Sequence, residues 1–291
     1  MNKVIFHLGA HKTATTYMQN RLKANNATLR ANNVYYPGIG EMRKHFTYNI
    51  NDETPNEFTT KMLALRDTHT ILLSDENMAG GIDDVLRLGR QYLETGRKLT
   101  RYCAIMGTDQ PVVFLALREY SSFVISIYCE YLRHYPFIDF ESFARQYAAS
   151  NFDWVSVIQE MVTAVPKVKI YLWDFADFAV LEERIFAAMT GLKAGELQPL
   201  NGVQRESFSE LAVHCIEALS DVIDINNIKK ILPALTAAFP KGPEYPAYNP
   251  FPAEYVAESK ARYKTDMKKI AERFSNVIVF QPEHAGAETI S

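Results

Sequence analysis

VIFHLGAHKTATTYM, residues 4–18, decides how the rest of the chain is read. Val4 to Leu8 is a short β-branched and apolar run closed by Gly9, the pattern of a buried strand. Beyond it the apolar residues fall at Met18, Leu22 and Leu29, intervals that mark one stripe of a helix lying on a sheet. Strand, tight loop and helix in succession aim the loop and first-turn N–H groups at whatever sits over the helix start. About half a positive charge gathers there as well, so an anion fits. Lys12 adds a full charge, and Thr13, Thr15 and Thr16 add hydroxyl donors. The small Gly9, Ala10 and Ala14 let a ligand approach the backbone closely.

The nucleoside triphosphate loop G-x-x-x-x-G-K-[ST] is not matched, because His11 precedes Lys12 and no glycine stands at the required offset. GAHKTATTY, residues 9–17, resembles instead the 5′-phosphosulfate loop of the sulfotransferases, written P-K-S-G-T-T-W. In that resemblance His11 stands for the proline and Lys12 for the lysine. Thr13 stands for the serine, Ala14 for the glycine, Thr15 and Thr16 for the two threonines, and Tyr17 for the tryptophan. A second stretch supports the first. Pro111 precedes Val112-Val113-Phe114-Leu115-Ala116-Leu117, a run typical of a strand covered on both faces, and Arg118 closes it. A helix begins near Tyr120, with Phe123, Ile127 and Tyr131 on one stripe and Ser122, Ser126 and Arg133 on another. Sulfotransferases hold the 3′-phosphate of their donor with an arginine at a strand end and a serine eight residues on. Arg118 and Ser126 have that spacing. A planar guanidinium takes two phosphate oxygens at once, and the hydroxyl takes a third.

The resemblance implies an α/β protein with the P-loop-like sulfotransferase fold. That is three layers, α/β/α, around a central, mainly parallel sheet, with extra C-terminal helices. One domain is expected over residues 1–291, its core reaching about residue 200 and a helical extension covering 201–291. The implied co-substrate is 3′-phosphoadenosine 5′-phosphosulfate, whose sulfuryl group passes in line to a hydroxyl or amine of a small-molecule or carbohydrate acceptor. No metal is expected. Lys12 is implied to steady the leaving 5′-phosphate, with His11, Thr13, Ala14, Thr15 and Thr16 around it; Arg205, in a late polar loop, is a candidate for the 3′-phosphate. The acceptor has to lose a proton to a base within hydrogen-bond reach. Glu76, just after the strand Thr70-Ile71-Leu72-Leu73-Ser74, is the first choice, and His45 the second. Two other classes stay open. A P-loop kinase of small molecules would normally need G-K-[ST] and a metal-binding acid, and a non-catalytic nucleotide-binding protein would need Lys12 and Arg118 but no base.

Composition bounds these readings. Of the 291 residues 47% are hydrophobic and 22% charged, enough apolar material for a substantial core. A net charge of −3 implies no general polyanion surface, so nucleic acid is not an expected partner and any anion affinity is local. Cys103, Cys129 and Cys215 are too few and too scattered for a disulfide framework or a zinc site. With no membrane-length apolar run and no signal-peptide layout, the expected location is the cytoplasm. Further along, residues 40–56 read as a loop and 57–65 as a helix. Helices follow over 83–106, with Val85, Leu86 and Leu93 inward. Two more helices are expected over 137–162, a strand over 168–173 and a helix ending at Gly191. Ser207 to Glu210 has capping-box spacing before another helix. Helices near 227–239 and 253–274 and a strand at 277–280 complete the reading. Pro240 to Pro252, with Tyr245, Tyr248 and Phe251, is either a packed connector or an aromatic rim for an acceptor.

Overall fold

The computed structural model describes residues 3–49, 56–200 and 207–282. Six strands form one sheet: β1 (Val4–His7), β2 (Val34–Tyr35), β3 (Thr70–Ser74), β4 (Val112–Leu117), β5 (Lys169–Asp174) and β6 (Val277–Val279). Their order across the sheet is β2-β3-β1-β4-β5-β6, and every pairing is parallel. The central strands β1 and β4 are buried along their whole length, and β4 is apolar without interruption, as a strand covered on both faces requires. Alternation along each strand sorts its residues into two cores. Phe6, Leu73, Val113 and Leu115 face one, with Phe123, Trp154, Ile158 and Ile270. Ile5, Leu72, Phe114 and Ala116 face the other, with Met18, Leu22, Leu181 and Ile185. Helices therefore cover both sides of the sheet, the expected three layers.

The crossovers matter more than the count of elements. After β1 the chain turns onto one face through the Thr15–Ala24 helix. After β4 it turns onto the opposite face through the Tyr120–His134 helix. β1 and β4 are neighbours, so their carboxyl ends diverge and leave a crevice between them, the position where open α/β sheets take ligands. The stretches around Lys12 and Arg118 form its two sides.

Several expectations are corrected in detail. Residues 40–47, expected as loop, belong to a short helix Ile39–Met42 and a π-turn Arg43–Thr47, anchored by buried Met42 and Phe46. The helix Glu210–Ser220 is capped by Ser209, whose side chain accepts from the Ala212 N–H, rather than by Ser207. Leu93 is 41% exposed, not inward. In the 240–252 segment most residues are exposed, and the half-buried rings of Tyr248 and Phe251 pack against the core. Tyr248 stacks on Tyr128 with centroids 5.8 Å apart, and Phe251 meets Phe140 edge-on at 4.9 Å. The helix Ala253–Arg273 packs back on the sheet's helical layer, where Tyr120 donates a hydrogen bond to Asp266. β6 joins the sheet beside β5, and Ile270 and Phe274 lie in the same core as Phe6 and Leu115.

Candidate functional site

The loop after β1 takes left-handed backbone angles at Gly9, Lys12 and Ala14, with φ of 41°, 64° and 64°. For Lys12 and Ala14 this costs about 1–3 kcal/mol each, a strain that tends to persist where a loop cups a ligand. Gly9 has no alternative, because a Cβ there would collide with the Thr15 hydroxyl. That hydroxyl is itself buried, with no hydrogen-bond partner among the described residues. The helix starting at Thr15 is held rigidly. Tyr17 donates to Glu182 at 2.6 Å, and the fully buried Arg21 pairs with Glu182 and Glu183 on the helix Phe178–Thr190. A rigid helix fixes the direction of its first-turn N–H groups, which have no acceptor within the helix.

Of the loop residues expected around the ligand, three are buried: His11, Thr13 and Thr15. Thr13 is fully buried and donates to the Ala10 carbonyl at 2.6 Å. His11 offers its backbone N–H to the Tyr92 hydroxyl at 2.9 Å, and the same hydroxyl lies 2.9 Å from His11 Nδ1. A hydroxyl that accepts from the backbone donates to Nδ1, so the ring hydrogen sits on Nε2, 3.4 Å from Asn77 Oδ1. Burial lowers the His11 pKa against the pull of Glu76, leaving the ring neutral. Thr16 and Ala14 stay half-exposed at the mouth of the loop.

Lys12 and Arg118 meet in the crevice. Arg118 Nη1 donates to the Lys12 carbonyl at 2.7 Å and to Ser126 Oγ at 3.1 Å, and Nε donates to Ser122 Oγ at 3.2 Å. Its guanidinium lies 5.1 Å from the centre of the Phe175 ring. Burial lowers its pKa. Among the described residues no carboxylate stands within ion-pair distance of it. A desolvated cation bonded only to neutral oxygens is a prepared anion site, because a phosphate or sulfate supplies the missing charge. Beside it opens a cavity of about 390 Å³ lined by Arg118, Ser122, Asp174, Phe175, Lys260 and Tyr263. Asp174 caps the short turn Phe175–Asp177 through the Ala176 N–H.

Glu76 follows β3 at the crevice side. Arg43 Nη2 reaches its carboxylate at 3.0 Å and the fully buried Asp75 at 3.1 Å, while Gln19 donates to Glu76 at 3.2 Å. Asp75 also caps the turn Glu76–Met78. The His11–Asn77 contact ties this turn to the Lys12 loop. His45 lies elsewhere on the same side, stacked on Phe58 and 4.0 Å from Glu41. Arg205 lies outside the described residues. Two residues went unnoticed in the sequence. One is Tyr92, which holds His11. The other is Glu130, whose carboxylate pairs with Lys12 Nζ at 3.1 Å. Glu130 continues the Ser122–Ser126 stripe by one more turn, and that spacing was the available signal.

Fold and site together describe a three-layer α/β protein in which Arg118 reaches the Lys12 backbone carbonyl at the ends of two neighbouring strands. No family model matches the chain, and no curated protein matches it. Among solved structures the chain is similar to the crystal structure of a sulfotransferase from Alicyclobacillus acidocaldarius. The two are 15% identical over 84% of this chain and 98% of that one, with a TM-score of 0.43. Among the described residues no helix is long and apolar enough to cross a membrane. No group of three or more His, Cys, Asp or Glu among them could hold a metal ion.

Proposed function

We propose that the protein is a sulfotransferase that uses 3′-phosphoadenosine 5′-phosphosulfate to sulfate a hydroxyl or amine of a small-molecule or carbohydrate acceptor. The observation that carries this reading is Arg118: a half-buried guanidinium with no carboxylate at ion-pair distance among the described residues, touching Ser126, Ser122 and the backbone of Lys12. An adenosine compound with phosphate at both its 3′ and 5′ positions needs two separate cationic corners, and the bond from Arg118 to the backbone of Lys12 supports that arrangement. The 390 Å³ cavity beside Arg118 is within the usual size of a small-ligand site and supports a place for the nucleoside.

In this reading Arg118, Ser126 and Ser122 hold the 3′-phosphate. Lys12 and the N–H groups of the loop and first helical turn stabilise the negative charge that gathers on the leaving 5′-phosphate, work of the electrostatic kind that dominates such transfers. Glu76 takes the proton of the acceptor. Its ties to Arg43 and Gln19 fix the carboxylate in place, and its turn abuts the loop through Asn77 and His11. His45, facing Glu41 and Phe58, is the second candidate for that role.

Thermal unfolding with 3′-phosphoadenosine 5′-phosphate, and separately with ATP and magnesium, tests the reading. A ligand at a hundredfold excess over its Kd stabilises by about 2.7 kcal/mol. Stabilisation by the bisphosphate and not by ATP is expected; the reverse would point to a kinase. An acceptor screen with labelled donor then identifies the second substrate.

A further inference from the structure

The two cations of the crevice are prepared differently. Arg118 has no carboxylate within ion-pair distance among the described residues, whereas Lys12 already has Glu130 at 3.1 Å. Glu130 is on the helix Tyr120–His134, one turn beyond Ser126, so a single helix face carries the hydroxyl that steadies Arg118 and the carboxylate that holds Lys12. The Glu130 side chain is 9% exposed and that of Lys12 14%. Resting on the donor assignment above, we propose that Glu130 is a positioning residue that competes with the donor's phosphates for Lys12, holding the lysine before the donor arrives and drawing it back as product departs.

A phosphate oxygen approaching the Lys12 ammonium meets a second anion at hydrogen-bond distance from the same nitrogen. The two anions repel, so either Lys12 leaves Glu130 or the phosphate binds less tightly. Pulling a lysine away from a buried carboxylate is ordinarily costly, because the carboxylate is left uncompensated. Here it is not left so. His134 Nε2 lies 3.2 Å from Glu130 Oε1 and Arg133 Nε lies 3.5 Å from Oε2. Burial pushes the Glu130 carboxyl up, but the His134 and Lys12 hydrogen bonds and the charges of Lys12 and Arg133 hold it well below the usual carboxylate range. With Lys12 gone, Arg133 and His134 remain. The exchange of Lys12 between Glu130 and phosphate is thus reversible at modest cost, which suits a group that must release a doubly charged product at every turnover.

Glu130→Gln tests this, because it keeps the shape and removes the charge. Calorimetry with 3′-phosphoadenosine 5′-phosphate should show binding tighter by about tenfold, within the usual range for two ligands coupled through one group. Inhibition by that product should deepen in parallel. Without any nucleotide, acetylation of Lys12 by a small acylating reagent, followed by mass spectrometry, should be faster in Glu130→Gln than in the wild type. Glu130→Asp, which keeps the charge but shortens the reach, should fall between the two. Unchanged or weaker bisphosphate binding in Glu130→Gln, with Lys12 labelled no faster, would overturn the proposal. If the wild type fails to bind the bisphosphate at all, the donor assignment is what fails, and the Lys12 labelling rates still decide what Glu130 does.

Discussion

Replacing Arg118 by methionine separates the two corners of the site. The guanidinium makes three bonds to neutral oxygens, with Ser122, Ser126 and the Lys12 carbonyl, and rests on Phe175. Each such bond contributes about 1 kcal/mol net to folding, and removing a desolvated cation without a counter-ion offsets part of that loss. Arg118→Met should therefore cost the unliganded protein about 1–2 kcal/mol at most. The ligand should feel far more. Truncating one partner of a buried, hydrogen-bonded charge pair costs about 2–5 kcal/mol, or roughly 30-fold to several thousandfold in Kd. The informative assay is calorimetry with two ligands, 3′-phosphoadenosine 5′-phosphate and adenosine 5′-phosphate, on both proteins. The wild type should prefer the bisphosphate, and Arg118→Met should lose that preference while binding adenosine 5′-phosphate much as before. Equal losses for the two ligands would mean that Arg118 acts by shaping the loop through the Lys12 carbonyl. No loss for either would remove the arginine from the site and the functional reading with it.

Lys12→Ala should abolish sulfuryl transfer without unfolding the chain, since Glu130 keeps Arg133 and His134 as partners; a melting curve and a labelled-donor assay report the two halves. Glu76→Gln should lower turnover by about 10²–10⁴ with little change in bisphosphate affinity, and if His45→Ala does so instead the base is His45. Burial lowers the pKa of His7, whose Nδ1 lies 2.8 Å from the Ser74 hydroxyl, to about 4. The unfolded chain binds a proton at about pH 6.5 that the folded chain excludes until about pH 4, so acidification through that window should remove about 3 kcal/mol of stability. Urea unfolding between pH 4 and 8 should show a flatter profile for His7→Gln, and equal slopes in the two proteins would count against a buried neutral histidine.

Much of the fold was legible because it rests on short-range patterns. The strand bounds of β3 and β4, the helix Glu57–Leu65 and the Gly191 stop follow from runs of apolar residues and from a glycine in the left-handed region. Where the reading slipped, a tertiary contact had overridden a local tendency. Residues 40–47 are polar on average, yet Met42 and Phe46 find buried places and pull a helix into what looked like loop. Leu93 has an apolar side chain, but its neighbour Tyr92 takes the inward position to reach His11.

For the site, the sequence alone determined the chemistry of the loop: a lysine and threonines between a buried strand and a helix, and an arginine and serine at a second such corner. Only the tertiary structure decided which of them face outward. His11 and Thr13 turn into the protein, Arg118 reaches the Lys12 backbone carbonyl, and Glu130 claims the Lys12 ammonium from 118 positions away. Periodicity reports which side of its own element a residue lies on, but ion pairs and hydrogen bonds across a crevice depend on where two elements cross. That crossing is set by the packing of both cores against the sheet.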